Sequence, residues 1–293
     1  MSSEIRILVL GCNGQVGSEI KYLQRQQPDH NEWIFWQRSD LDLTDTDAIE
    51  TALTQCRPTV VINCAAYTAV DKAEQEPELA DQINHLAVRA LAQTCQALGA
   101  CLIHISTDYV FSGTHCQPYR PQDATAPAGH YGLSKLRGEQ TLRASGVNGV
   151  IVRTSWVYST FGNNFVKTML RLGAAKPALQ VVADQIGSPT WARDLAQALM
   201  QLAIHPDLAQ KTGEIYHYSN SGVCSWYDLA AHIFQAQNLD CQLSPIRTEE
   251  YPTPAKRPYY SVLDCRKIYE DFGVRPPYWH HSLVRALKDI QAQ

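Results

Sequence analysis

The 293-residue chain predicts an α/β protein, a Rossmann-like doubly wound parallel sheet followed by a smaller C-terminal lobe. Three observations carry this. Short apolar runs alternate with helical patterns through the first half, a glycine-rich turn follows the first run, and beyond about Trp156 the alternation becomes irregular. The expected division falls at 1–156, with later segments returning to the sheet, and 157–293.

Taken in order, residues 5–10 read as a buried strand, 15–27 as a helix and 33–37 as a second strand. Thr44 is placed to cap a helix running to about 55, and 59–62 form a third strand. Pro77 opens a helical pattern in which Leu79, Ile83, Leu86, Leu91 and Leu98 recur at helical spacing. A strand over 100–105, a helix over 131–144 and a strand over 150–152 follow. Strands alternating with helices imply a parallel sheet covered on both faces. Further on, 165–172, 192–204 and 226–237 read as helices, with 180–182 and 215–218 as strands. Pro252, Pro254 and Pro258 remove amide donors and exclude regular helix from 251–260.

Composition narrows the function classes. With 25 basic and 29 acidic side chains the net charge is −4, and the cations are scattered, so no basic face invites nucleic acid or an anionic membrane. The nine cysteines contain no C-x-x-C and mostly sit in apolar runs, as small buried hydrophobes in a reducing compartment do. The first strand is broken by Arg6 and stopped by Gly11, unlike a signal peptide. No apolar run approaches the ~18 residues of a membrane span. The expectation is a soluble, cytoplasmic protein.

Gly11-Cys12-Asn13-Gly14-Gln15-Val16-Gly17 joins the first strand to the first helix. Glycines there permit a tight turn and close backbone approach, and phosphates sit on the free amides of the helix N-terminus. The spacing is G-x-x-G-x-x-G, a variant of the dinucleotide fingerprint. Gly11, Gly14, Gln15, Val16 and Gly17 are therefore cofactor-binding candidates, and residues 1–156 an NAD(P)-binding domain. After the second strand, where an acid commonly holds a ribose 2′-hydroxyl, stand Gln37, Arg38 and Ser39. Arg38 suits a 2′-phosphate and favours NADPH, while Asp40 and Asp42 leave NADH open. Asp42 and Leu43 would flank the adenine.

Tyr131 and Lys135 stand at i and i+4, on one face of a helix. Ser106-Thr107-Asp108 ends the strand that begins near Ala100, where ligands of parallel sheets bind. Converging on a nicotinamide, these groups form a reduction site. Lys135 would lower the phenol pKa from ~10 and hold the ribose hydroxyls. Tyr131 would protonate a carbonyl oxygen as hydride reaches carbon, and Thr107 would hydrogen-bond that oxygen.

These residues resemble the extended short-chain dehydrogenase/reductase superfamily and, within it, the dTDP-4-dehydrorhamnose reductase family. The matching segments include Gly14–Gly17, Asn63–Glu74, Ser106–Gly113, Tyr131–Lys135, Arg153–Tyr158, Gly162–Phe165, Asp184–Thr190 and Pro252–Pro258. The resemblance implies reduction of the C4 ketone of dTDP-4-dehydro-β-L-rhamnose, the final step of dTDP-L-rhamnose synthesis, with 157–293 mainly a substrate-binding lobe. It implies that Tyr131 is the proton donor with Lys135 its partner, and that Ala66, Tyr67 and Thr68 line the cofactor. It also implies that Thr107, Asp108 and Trp156 contact the sugar and that Arg257 meets the substrate diphosphate. The small-molecule partner would thus be a nucleotide sugar, and the protein a homodimer in some members. Some members join subunits through magnesium on glutamates. Glu19 matches one such position, but Arg193 replaces another acid, which speaks against Mg2+.

Two other readings stay open at the level of sequence. One is a nucleotide-sugar epimerase or dehydratase, which would retain its NAD through turnover. The other is a non-catalytic regulator resembling the regulatory subunit of methionine adenosyltransferase, for which an intact Thr107–Tyr131–Lys135 set would be superfluous. His280-His281 and most tryptophans, Trp226 among them, read as surface or packing residues.

Overall fold

The computed structural model describes residues 5–292. In its first half β1 (Arg6–Leu10), α1 (Gln15–Gln26), β2 (Glu32–Trp36), α2 (Thr46–Cys56), β3 (Val60–Asn63), α3 (Pro77–Asp81), α4 (Ala87–Leu98), β4 (Cys101–Thr107), α5 (His130–Ser145) and β5 (Gly149–Thr154) follow one another. The second half holds β6 (Val157–Tyr158), α6 (Phe165–Ala175), β7 (Ala178–Val182), β8 (Ile186–Gly187), β9 (Thr190–Trp191) and α7 (Ala192–Ala203). Then come β10 (Thr212–His217), β11 (Cys224–Ser225), α8 (Trp226–Ala236), β12 (Gln242–Ile246), α9 (Arg266–Phe272) and α10 (Trp279–Gln291).

Six strands form one parallel sheet in the order β2-β1-β3-β4-β5-β10. The chain steps one way from β1 to β2 and the other way to β3, so the winding reverses beside β1. The crevice at such a reversal, outside the carboxyl ends of the strands, is where ligands of open α/β sheets bind. Alternate strand residues face opposite sides. Ile7, Val9, Ile62, Ile103 and Val152 pack with Leu195 and Leu199 of α7. Leu8, Leu10, Val61, Leu102 and Ile151 pack with Ile49 of α2 and Leu91 of α4. Each such side chain is worth about 1.5–3 kcal/mol when fully buried, which is what holds a helical layer on each face.

Two local expectations are corrected. The cap of α2 is Asp45 rather than Thr44: the Asp45 carboxylate accepts the Ala48 N–H at 3.0 Å. Thr44 is already engaged, giving its N–H and hydroxyl to Asp42 at 3.0 and 2.9 Å. The helical pattern over 79–98 is also not one α-helix, because a π-helical turn, Gln82–Leu86, separates α3 from α4. Within that turn Asn84 bonds the C=O and N–H of Tyr67 at 3.0 and 2.9 Å and reaches the Ser134 hydroxyl at 3.1 Å. Apolar spacing does not register such a turn, since its reward is polar and non-local.

Beyond β5 the chain builds a smaller region yet returns to the sheet. Helix α7 packs on α1, and β10 joins β5 as the sixth strand. Helix α9 backs β10, with the Phe272 ring 5.1 Å from that of Tyr216. The C-terminal region has its own apolar cluster, in which Val166 and Met169 of α6 meet Leu229 and Ile233 of α8 and Trp279 and Leu283 of α10. The proline-rich segment is irregular and anchored at Asp71, which accepts the Ala255 N–H at 3.1 Å and the Arg257 guanidinium at 2.6 Å. The nine cysteines are all free. Among the described residues no helix is long and apolar enough to cross a membrane.

Candidate active site

A cavity of about 750 Å³ lies along the carboxyl ends of β1, β3, β4 and β5. The glycine turn forms one end. Gly11 has φ +72°, and a Cβ there would lie 2.7 Å from the Ala65 nitrogen. A Cβ on Gly17 would lie 2.4 Å from the Gly11 carbonyl oxygen, so Gly17 serves the close packing of turn on helix and does not itself line the cavity. Gly14 is the N-cap of α1 and supplies no side-chain cap, which leaves helix amides free to receive an anion. Gln15 and Val16 line the cavity beside it. These features fit a dinucleotide.

Arg38, Asp42 and Leu43 line the outer part of the same cavity. Arg38 is exposed and lies 3.3 Å from Asp42. Asp42 is held below the usual carboxylate range, first by the Thr44 N–H and then by its hydroxyl, so it is tied into the loop. Ala66 and Thr68 also line the cavity, but Tyr67 does not: its hydroxyl donates to Glu76 at 2.5 Å, away from the cavity wall.

At the inner end stand Thr107, Asp108, Tyr131 and Lys135. Helix α5 delivers Tyr131 and Lys135 on its buried face, together with Ser134, Gly138 and Glu139. Two glycines bring that face close. A Cβ on Gly132 or Gly138 would lie 2.2 Å from the carbonyl oxygen of Tyr109 or Asn84. The Thr107 hydroxyl donates to Asp108 Oδ1 at 3.0 Å and accepts the Tyr109 N–H at 3.2 Å. Burial raises the Tyr131 phenol well above its ordinary range, with the Thr107 hydroxyl opposing it. Burial also pushes the Asp108 carboxyl up to about 7, again against a Thr107 hydrogen bond.

Lys135 behaves differently from the sequence expectation. Its Nζ donates to the Ile105 carbonyl at 2.6 Å and lies 3.2 Å from His104 Nε2. Burial raises the phenol, where the sequence expectation had Lys135 lowering it. Lys135 itself is pulled down to about 8 by burial, with Glu139 opposing.

Trp156 lines the cavity with φ +49°, a left-handed conformation that is rare for a bulky side chain. Its ring stacks on Trp226 at 3.6 Å between centroids and 10° between planes. Arg257 lies outside the cavity lining, paired with Asp71, and its Nη1 is buried without a hydrogen-bond partner among the described residues. Glu19 does not fit a magnesium ligand. It is fully buried, accepts from Ser159 at 2.7 Å and pairs with Arg193 at 2.8 Å.

Sequence reasoning left out several residues that serve the site. Gly162 and Asn163 line the cavity, and Asn164 caps α6 while donating to Gln15 Oε1 at 3.0 Å, which couples the C-terminal region to the glycine turn. The signal was the segment Gly162–Phe165, already part of the resemblance. Behind Lys135, Asn63 opened the matching segment Asn63–Glu74 without a role assigned to it, and His104 carried no signal, since a polar residue within an apolar strand announces no partner.

A glycine turn at the winding reversal and a Thr–Tyr–Lys set in the same cavity define an NAD(P)-binding α/β oxidoreductase of the short-chain dehydrogenase/reductase type. Residues 5–292 match the RmlD substrate binding domain. The spore coat polysaccharide biosynthesis protein SpsK of Bacillus subtilis is 41% identical over 284 residues, 97% of each chain. The dTDP-4-dehydrorhamnose reductase of Sinorhizobium fredii is 41% identical over 288 residues, 96% of each chain. The crystal structure of dTDP-4-dehydrorhamnose reductase from Bacillus anthracis in complex with NADP superposes with a TM-score of 0.92 at 37% identity, covering 98% of this chain and all of that one. The chain belongs to the RmlD family.

Proposed function

We propose that this protein reduces the C4 ketone of dTDP-4-dehydro-β-L-rhamnose to dTDP-L-rhamnose with NADPH, the last step of dTDP-rhamnose synthesis. The observation that carries this is the placement of Thr107, Tyr131 and Lys135 in one cavity with an uncapped glycine-turn helix. The bound nicotinamide cofactor supplies the hydride. Tyr131 gives its proton to the C4 oxygen, and Thr107 orients that oxygen by hydrogen bonding, a type of contribution worth about 10²–10⁴-fold in rate for the proton donor. Lys135 holds the ribose. Trp156, braced by Trp226, walls the sugar, and Asp108 contacts its hydroxyls. Arg257, with an unpartnered Nη1, receives the diphosphate. Arg38 meets the 2′-phosphate, and the NADP in the Bacillus anthracis relative supports NADPH over NADH.

The test is NADPH oxidation with dTDP-4-dehydro-L-rhamnose and identification of the product sugar. One dTDP-L-rhamnose per NADPH is expected. A second reading follows from SpsK, equally similar and named for spore coat polysaccharide synthesis: a different nucleotide-linked 4-ketosugar is the substrate. Oxidation of NADPH with another such sugar, and none with the rhamnose precursor, would select that reading.

A further inference from the structure

The indole of Trp156, which lines the cavity, has both of its faces covered. One face stacks on Trp226, with 3.6 Å between centroids and 10° between planes. The other lies against Gly187. A Cβ built on Gly187 would meet Cε2 of that indole at 2.5 Å and Cζ2 at 2.7 Å. Cε2 is a ring-fusion carbon. An atom approaching in the ring plane reaches its neighbours first, so only an approach through a face makes Cε2 the nearest. The remaining close neighbour of that Cβ is the Ser261 hydroxyl at 2.7 Å and not Trp226, which places Gly187 on the face opposite Trp226.

Both jaws of this clamp belong to one two-stranded ribbon. Gly187 of β8 is paired with Cys224 of β11, and Trp226 opens α8 two residues later. Ser225 and Asp228 close a capping box that fixes where α8 starts: the Ser225 hydroxyl accepts the Asp228 N–H at 3.0 Å, and the Asp228 carboxylate accepts the Ser225 N–H at 2.9 Å. Phe165 of α6 packs on Trp226 at 4.6 Å between centroids and 50° between planes. Neither Trp226 nor Gly187 lines the cavity. The backbone of Trp156 is pinned as well, its carbonyl accepting the Thr190 N–H at 3.1 Å.

With both faces taken, a sugar in the cavity can reach only the edge of the ring. That edge is the positive side of an aromatic system, and in an indole it carries a single donor, Nε1–H. The Trp156 N–H has no hydrogen-bond partner among the described residues and, unlike those of Trp191 and Trp279, is not sealed from solvent. Its place in the fold is right for a sugar contact. Thr154 of β5 pairs with Thr107 of β4, so Trp156, two residues on, stands at the same end of the sheet as Thr107 and Asp108.

We propose that Trp226 and Gly187 are positioning residues for the sugar: they hold Trp156 edge-on, so that its Nε1–H donates to an oxygen of the nucleotide-linked sugar and its face does not stack on the sugar ring. The inference rests on the sugar contact given to Trp156 above and names the atom that makes it. A stacked face tolerates many sugars, whereas a placed donor reads one oxygen. A sugar without an oxygen at that place leaves the N–H unpaired in the closed complex and is selected against. The clamp is thus a determinant of which nucleotide-linked sugar the site accepts.

The test is steady-state reduction of dTDP-4-dehydro-L-rhamnose with NADPH by the wild type, Trp226→Leu, Trp226→Phe, Trp156→Phe and the double variant Trp156→Phe/Trp226→Leu. Trp226→Leu should raise KM for the sugar about three- to tenfold, the worth of one neutral hydrogen bond, and leave kcat and KM for NADPH near wild type. Trp226→Phe keeps a ring on that face and should restore the sugar KM. In the Trp156→Phe background there is no N–H to place, so Trp226→Leu should change the sugar KM by less than about twofold. A merely structural Trp226 would instead raise both Michaelis constants in either background. Should Trp226→Leu fail to fold, NMR of the wild-type indole N–H groups decides: the Trp156 signal, identified by its loss in Trp156→Phe, should move downfield on adding dTDP-L-rhamnose. An unmoved signal, an unmoved sugar KM in Trp226→Leu, or additive effects in the double variant overturns the proposal. A wild type that leaves NADPH unoxidised with this sugar overturns the reaction proposed above and this inference with it, whereas wild-type turnover with any of those results overturns the inference alone.

Discussion

In the proposed reaction Tyr131 is the proton donor, and the fold buries it in the cavity beside Thr107. Tyr131→Phe should therefore lose about 10²–10⁴-fold in kcat while KM for NADPH and the melting temperature stay near wild type. Near-normal kcat in a folded variant would remove the proton-donor role. Arg38, exposed and only loosely paired with Asp42, can turn to an added phosphate. Arg38→Ala should raise KM for NADPH roughly tenfold, the worth of a charge-assisted contact of about 1.5 kcal/mol, and leave NADH unchanged. Equal loss with both cofactors would contradict a 2′-phosphate contact. Tyr131 and Lys135 were legible in the sequence because a helix puts i and i+4 on one face. The partners of Lys135 were not. They are His104 and the Ile105 carbonyl, 31 and 30 positions away on β4, and no spacing rule joins a helix residue to a strand.

Among the elements, the β1–α1 turn is the most demanding. Gly17→Ala would force its Cβ against the Gly11 carbonyl, a backbone atom that cannot swing aside. Loss of NADPH binding is expected, with destabilisation of several kcal/mol, as for overpacking without room to relax; a variant with wild-type melting and cofactor affinity would show that the turn tolerates the side chain. This turn was legible because backbone packed so closely on backbone requires residues without a Cβ, and three glycines at regular spacing after a strand mark the place. The parallel strands were legible too, since residues buried on both faces leave continuous apolar runs. The π turn at Gln82–Leu86 and the Asp45 cap were not. At the cap two neighbouring polar residues could serve the same amide, and Thr44 is taken by Asp42; at the π turn Asn84 is fixed by Tyr67 and Ser134, partners distant in sequence.

For the whole molecule, the proposed reaction sets a net charge of −4 against two anionic ligands in one cavity. The proposed answer is local: free helix amides and Arg38 at the cavity, with Arg257 just outside its lining on Asp71. Unequal regions are joined by a buried ionic link: Arg193 of α7 binds both Glu19 of α1 and Asp289 of α10. The guanidinium already neutralises the carboxylate that could have held a divalent cation. Chelator should consequently leave turnover and melting temperature unchanged, whereas restoration of lost activity by Mg2+ would contradict this assignment. The sheet and its reversal were legible as a pattern; this link was not, because it joins residues 174 positions apart in sequence. The most direct test of the proposed chemistry is turnover of dTDP-4-dehydro-L-rhamnose with NADPH deuterated at the transferable nicotinamide position. Deuterium is expected at C4 of the product dTDP-L-rhamnose, one per NADPH consumed. Product without deuterium at C4, or no NADPH consumed with this sugar, would contradict it.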